Sequence, residues 1–100
     1  MARFRFDANM TPAVQALAVT YDATISTSTQ ITLNAATTLI AVSAIDKTIL
    51  MNWGTTSAST TVFDEVINLN TTRQFFIPVG VGVVNFIEEA ATAKLCVVEK

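Results

Sequence analysis

Two acidic pairs, Asp64-Glu65 and Glu88-Glu89, are the places in this 100-residue chain where carboxylates adjoin. Paired carboxylates can cleave glycosides or hold a hard cation, provided that they meet at the right separation. Adjacent residues of a strand point to opposite faces, so neither pair is a dyad by itself. Asp64 and Glu88 could still meet across strands. The plainer reading is solvated charge at strand ends, or charge paired with Arg73 or Lys94. There is no histidine, which removes the usual general base and the commonest metal ligand. A nucleophilic Ser, Thr or Cys would need Lys or a carboxylate as its base. With 16 Thr and 5 Ser in the chain, such a juxtaposition carries no information. The single cysteine, Cys96, lies in the apolar run Leu95–Val98 and reads as a small buried residue. The three glycines, Gly54, Gly80 and Gly82, match neither a phosphate loop nor a dinucleotide fingerprint. These residues give no catalytic, cofactor-binding or metal-binding set, and the chain reads as a non-enzyme.

Recognition chemistry has more candidates. Trp53, Tyr21 and the Phe residues could form a stacking platform for a sugar or a base. Trp53 shares its parity with Ile49 and Met51, which favours core packing. Met1–Asp7 alternates Phe4 and Phe6 with Arg3 and Arg5, a strand-like period. It reads either as an arm that adds to another chain's sheet edge or as a first strand of the domain's own sheet. Gly54–Thr60, GTTSAST, has no large side chain and should be an exposed loop. Gly54, Thr55, Thr56 and Ser57 are its candidate contact residues, against the alternative of a mobile tip.

Composition bounds the partners. Only 14% of residues are charged, against about 25% in an average soluble domain. Hydroxyls replace the missing charge, and mean hydropathy is +0.49. So neutral a small domain is expected to bury part of its surface against other chains. Net charge is −2 without a basic cluster, which argues against nucleic acid. The start, MARFRFD, shows no cleavage site after an apolar run, so no secretory signal is expected. No window approaches about 18 uninterrupted apolar residues, so no membrane span is expected. Asn9-Met10-Thr11 and Asn70-Thr71-Thr72 fit the glycosylation sequon and read as chance matches in a Thr-rich chain.

The elements that position these residues are short strands. After Asn9–Thr11 and Pro12, a helical turn over Ala13–Ala18 and a strand at Gln15–Thr20 are both open. Ala23–Thr29 reads as polar and edge-like. Ile31 and Leu33 alternate with Thr32 and Asn34. Thr38–Ile45 is apolar on both faces except for Ser43, which suits a central strand or one in a subunit contact. Asp46-Lys47 suits a tight hairpin, without the favoured Gly, into Thr48–Trp53. Thr61–Glu89 then holds Phe63, Phe75, Phe76 and Phe86 and reads as three strands. Its first, Val62–Leu69, sets Phe63, Ile67 and Leu69 on one face. Asn70–Thr72 and Pro78–Gly80 are its turns, and Lys94–Val98 is the last strand. The faces carrying Phe63, Phe75 and Ile87 need a partner sheet, and Ile31–Trp53 reads as that sheet. Seven to nine short strands with hairpin-length links imply one all-β domain over residues 1–100. It is expected to be an antiparallel β-sandwich or jelly-roll-like barrel, with 1–7 as a possible arm.

TLIAVSAIDKTILMNWGT from Thr38, then FDEVI, FFIPVGV, VNFIEEAATA and a final CVVEK, resembles small β-sandwich virion proteins of tailed bacteriophages. The marks are Trp53-Gly54 after a hairpin, Phe63-Asp64-Glu65 after a small-residue loop, the Pro78-x-Gly80 turn and Ile87-Glu88-Glu89 before the last strand. The resemblance covers about two-thirds of the chain. It implies a capsid decoration (cement) protein, or a head-fibre or tail accessory protein, made in the host cytoplasm and carried on the virion. The implied partners are further copies of itself, a trimer first, and a major capsid protein or another virion protein. It brings no catalytic residues and no cofactor. The alternative of a different class is a carbohydrate- or receptor-binding module built on Trp53 or Tyr21.

Overall fold

The computed structural model describes residues 17–100, so the Phe/Arg segment Met1–Asp7 lies outside the described residues. Eight strands form: β1 (Ala18–Asp22), β2 (Thr29–Thr32), β3 (Leu39–Ile45), β4 (Ile49–Trp53), β5 (Glu65–Ile67), β6 (Thr71–Phe76), β7 (Val83–Glu88) and β8 (Lys94–Glu99). All pairings are antiparallel. One sheet, A, has the order β1-β8-β3-β6, and the other, B, has β2-β7-β4-β5.

The pairs β1·β8, β2·β7, β3·β6 and β4·β5 are nested, like one long hairpin folded over itself. The additional pairs β3·β8 and β4·β7 join the folded layers into two sheets. This is the jelly-roll arrangement, one of the two expected architectures. Its core lies between the sheets. Ile40, Val42 and Ala44 of β3 and Leu95 and Val97 of β8 are buried on the A side. Ile49 and Met51 of β4, with Val84 and Phe86 of β7, are buried on the B side. The strict alternation along β3 and β8 follows from the period of two in a strand with one face inward.

Nested pairing changes what the short links do. Among the described strands only β4 and β5 are consecutive and paired; every other link carries the chain from one sheet to the other. Asp46-Lys47 is therefore a corner between β3 and β4, not a hairpin. Asp46 itself takes the positive φ (74°) that a Gly was expected to supply. Asp tolerates this region better than most side chains. Asn70 (φ 56°) does the same between β5 and β6, and its Oδ1 accepts a hydrogen bond from the Asp46 N–H at 3.0 Å. At the corner between β6 and β7, Val81 N–H donates to Pro78 O, with Gly80 at φ 82°.

Thr61–Glu89 does give three strands, but they do not share a sheet facing Ile31–Trp53. β5 and β7 flank β4, while β6 pairs with β3. Val62–Leu69 shrinks to the three residues of β5. At its start the Asp64 Oδ2 accepts the Trp53 N–H at 2.9 Å, where a strand carbonyl would otherwise serve. Phe63 and Leu69 are left exposed. The links also carry core: Ile25, in the stretch expected to be polar and edge-like, is fully buried, as is Ala93. Glu99, the inward residue at the end of β8, is buried. Its Oε1 accepts from the Asn34 N–H and from the Thr37 hydroxyl, each at 2.7 Å, which ties the β2–β3 link to β8.

Phe86 is the largest fully buried side chain. Phe86→Ala is expected to cost about 3–5 kcal/mol, by lost transfer energy plus the cavity left behind. Urea unfolding checks this, with an unchanged slope and a lowered midpoint. A loss below about 1 kcal/mol would contradict a packed core around Phe86.

Candidate interaction surface

Asp64, Glu65, Glu88, Arg73 and Lys94 each have a local structural task. Glu65 and Arg73 form an ion pair at 3.4 Å across the gap between edge strands β5 and β6. Arg73 Nη1 also donates to Val66 O at 2.9 Å. The guanidinium sits 4.8 Å from the centroid of Phe75, and Phe75 meets Trp53 edge to face at 5.9 Å. Glu65, Arg73, Phe75 and Trp53 thus close one open side of the sandwich, through a cation–π contact and a T-shaped aromatic pair. Asp64 caps the β4 edge as described above, and Glu88 Oε1 accepts the Ala93 N–H at 3.1 Å. Lys94 bonds Asp46 at 2.8 Å. That hydrogen bond, and next the Asp46 charge, raise the Lys94 pKa. The contribution of the pair is complete below the ordinary lysine range and is lost as pH rises through the raised value. Among the described residues, no group of three or more His, Cys, Asp or Glu could hold a metal ion. No helix of the described residues is long and apolar enough to cross a membrane.

The outer face of sheet B is roofed by the chain itself. Asn52 of β4 and Asn85 of β7 are cross-strand partners on that face, and both are buried, Asn85 to 2% exposure. Asn85 Nδ2 donates to Gly54 O at 2.8 Å, and Asn52 Nδ2 donates to Thr56 O at 3.0 Å. Ser28 Oγ donates to Asn85 Oδ1 at 3.2 Å and accepts the Ala58 N–H at 2.9 Å. These bonds hold the Gly54–Thr60 loop down. Ala58 is buried to 3% exposure, although composition alone gave the loop no anchor. Thr55, Thr56 and Ser57 remain exposed and Gly54 is half-buried. The signal missed in the sequence is an Asn in the middle of two otherwise β-favouring runs, ILMNW and VVNFIE, where Asn is disfavoured unless its amide is used.

Among the described residues, the outer face of sheet A has no such roof. Val19 and Tyr21 of β1 are 62% and 58% exposed, Phe76 of β6 is 81% exposed, and Leu17 stands beside them at 45%. The register sets Val19 beside Val98 and Ala41, and Tyr21 beside Cys96 and Ser43. Leu39 lies beside Phe76. Cys96 is therefore half-buried on an outer face rather than in the core. No outward residue of these four strands is a carboxylate. Of this face, sequence reasoning placed only Thr38–Ile45 near a possible subunit contact, and it left β1 open between a helical turn and a strand. The candidate contact residues thus divide. Arg3, Phe4, Arg5 and Phe6 lie outside the described residues, and Gly54–Ser57 lie over sheet B, away from the apolar face of sheet A.

Comparison with known proteins gives no match: no protein-family model, no curated protein and no solved structure aligns with this chain.

Replacing Asn85 by Ala removes the bonds to Gly54 and Ser28 and leaves buried polar groups without partners. The expected cost is about 1–3 kcal/mol. Limited proteolysis should cut faster within residues 55–60, and amide exchange there should accelerate. Unchanged loop exchange would show that the asparagines do not hold the loop.

Proposed function

We propose that this chain is a structural virion protein of a bacteriophage, decorating and stabilising a capsid through protein–protein contacts. The observation that carries this reading is the apolar face of sheet A that the described residues leave uncovered. Large exposed apolar patches mark interaction sites in small soluble domains. The ionisable residues named above serve the scaffold, which leaves shape and buried area as what the molecule offers a partner. The jelly-roll arrangement also occurs in viral capsid domains, a fold-level analogy that agrees with the sequence resemblance. In this reading copies of the chain associate with one another, and the Met1–Asp7 arm and the Thr55–Ser57 loop tip reach the major capsid protein or another virion protein. Binding energy spread over the joints of a shell then adds to the stability of the shell.

The carbohydrate-binding reading is less well supported. Trp53 is half-buried, packs against the core and meets Phe75 edge to face, so it is not a free stacking platform.

Co-expression with the products of the adjoining genes, followed by sedimentation of assembled particles, tests the proposal. The full chain should travel with the particles and raise their thermal stability. A chain lacking residues 2–7 should keep its melting temperature and stay in the supernatant. Particles that form without the full chain bound to them would overturn the reading. Normal binding by the shortened chain would overturn the role of the arm.

A further inference from the structure

We infer that β1 is a displaceable strand, which leaves the β8 edge while the rest of the sandwich stays folded and exchanges with β1 of a second copy. What decides this is the inward row of β1 and the single ladder that holds it.

β1 is built inside out. Its register with β8 sets Ala18, Thr20 and Asp22 on the inner side, opposite Glu99, Val97 and Leu95. Those three β1 residues are half-buried, and none belongs to the hydrophobic core. The larger residues Val19 and Tyr21 point outward, where they are exposed. By contrast, β3 and β8 each bury an inward row in the core. Packing between the sheets therefore holds β3 and β8 but contributes little to β1. Among the described residues, β1 pairs with β8 alone, and the Leu17 N–H extends that ladder to Glu99 O at 2.7 Å. Few buried apolar contacts and a single ladder at an edge mark a segment that opens below the free energy of global unfolding.

The chain is pinned directly after β1. Ile25 is fully buried, and its carbonyl accepts the Glu88 N–H at 3.1 Å. Ser28 is bonded to Asn85 and Ala58. Between strand and pin lies a turn in which the Asp22 Oδ1 accepts the Thr24 N–H at 2.9 Å. Breaking that exposed bond lets the chain before Ala23 swing away while Ile25 keeps its place.

The vacated edge then invites a strand. Opening bares the N–H and C=O groups of β8 that β1 had paired, beside the apolar Leu95 and Val97. β1 of a second copy presents the same inward row in the same register. Exchange restores the β1–β8 bonds that opening breaks and needs no new buried area, which makes it a low-cost route to association. The straightened hinge from Asp22 to Ile25 spans about 10 Å, so exchanged copies meet end to end. That end carries the carboxylates Asp22, Asp46, Glu88 and Glu89 and the lysines Lys47 and Lys94. Its excess of negative charge opposes close approach, and salt screens it. The closed monomer is the dilute form, since the tether holds each strand near its own edge. Exchange grows with concentration and ionic strength.

Two measurements on the full chain test this. In hydrogen exchange, the β1 amides bonded to β8 should exchange about tenfold or more faster than the bonded amides of β3 and β7. In cross-linking, Tyr21→Cys with Cys96→Ser places the one thiol of that chain on β1, while the unaltered chain carries its thiol on β8, at Cys96. The two positions face each other in the ladder, so a disulfide joins the chains when β1 of one lies on β8 of the other. Mixed at near-millimolar concentration under mild oxidation, the two chains should give that disulfide in a yield that rises with protein and with salt. Val19→Cys with Cys96→Ser is the control: position 19 faces Val98, and its disulfide with Cys96 should form about tenfold more slowly or not at all. The substituted side chains lie outside the core, and unchanged melting temperatures confirm folding. β1 amides that exchange as slowly as those of β3 and β7 overturn the displacement. A disulfide that fails to form at any concentration, or forms equally well from positions 19 and 21, overturns the exchange.

Discussion

The packing of Ile40, Val42, Leu95 and Val97 against Met51, Val84 and Phe86 holds the two sheets of this protein together. Each sheet has two faces, and a two-layer fold buries only one face of each. The contact between the inner faces therefore creates a second problem on the outside, which the chain meets in two different ways. On sheet B it folds its longest described link over the strands and ties it down with asparagine amides. On sheet A the described residues leave aliphatic and aromatic side chains uncovered. A side chain in water forgoes the transfer energy that burial would supply, about 1.5–3 kcal/mol for a large apolar residue. Several such residues on one face form a reservoir that only a further surface can use.

Much of the fold was legible in the sequence where one physical rule decides. The alternation of β3 and β8 follows from a period of two and a single buried side. Trp53 fell with Ile49 and Met51 because parity fixes the face. The division of the strands between sheets was not legible, because a turn sequence encodes a change of direction and not a change of layer. Asp46-Lys47 serves as a corner, and nothing in those two residues distinguishes it from a hairpin. Phe63 and Leu69 looked like core by parity. Their exposure follows from tertiary bonds, with Asp64 taking a ladder position and Asn70 turning the chain.

The candidate surface was legible only in outline. Low charge and many hydroxyls pointed to contacts with other chains, and that inference needed no coordinates. Which face was bare depended on register: the outward row of β1 acquires its neighbours, Val98 and Cys96, only when β8 pairs with it. Tyr21, read as a candidate stacking aromatic, joins this face only through its register with Cys96 and Ser43. Loop anchoring was hidden for a similar reason, since two asparagines 33 residues apart act together only as cross-strand partners.

The position of β8 has a kinetic consequence. It is the last described strand in sequence, yet it lies between β1 and β3, and no other described strand links β1 to its sheet. Sheet A cannot close until Lys94–Glu99 has left the ribosome. Until then β1 has no partner, and the inner row of β3 has no neighbour on one side. Pairings of such long sequence separation make folding slow, since loop-closure entropy must be met before the contacts return it. The nascent chain thus holds β1 and β3 open until β8 has been made, an interval in which aggregation competes with folding.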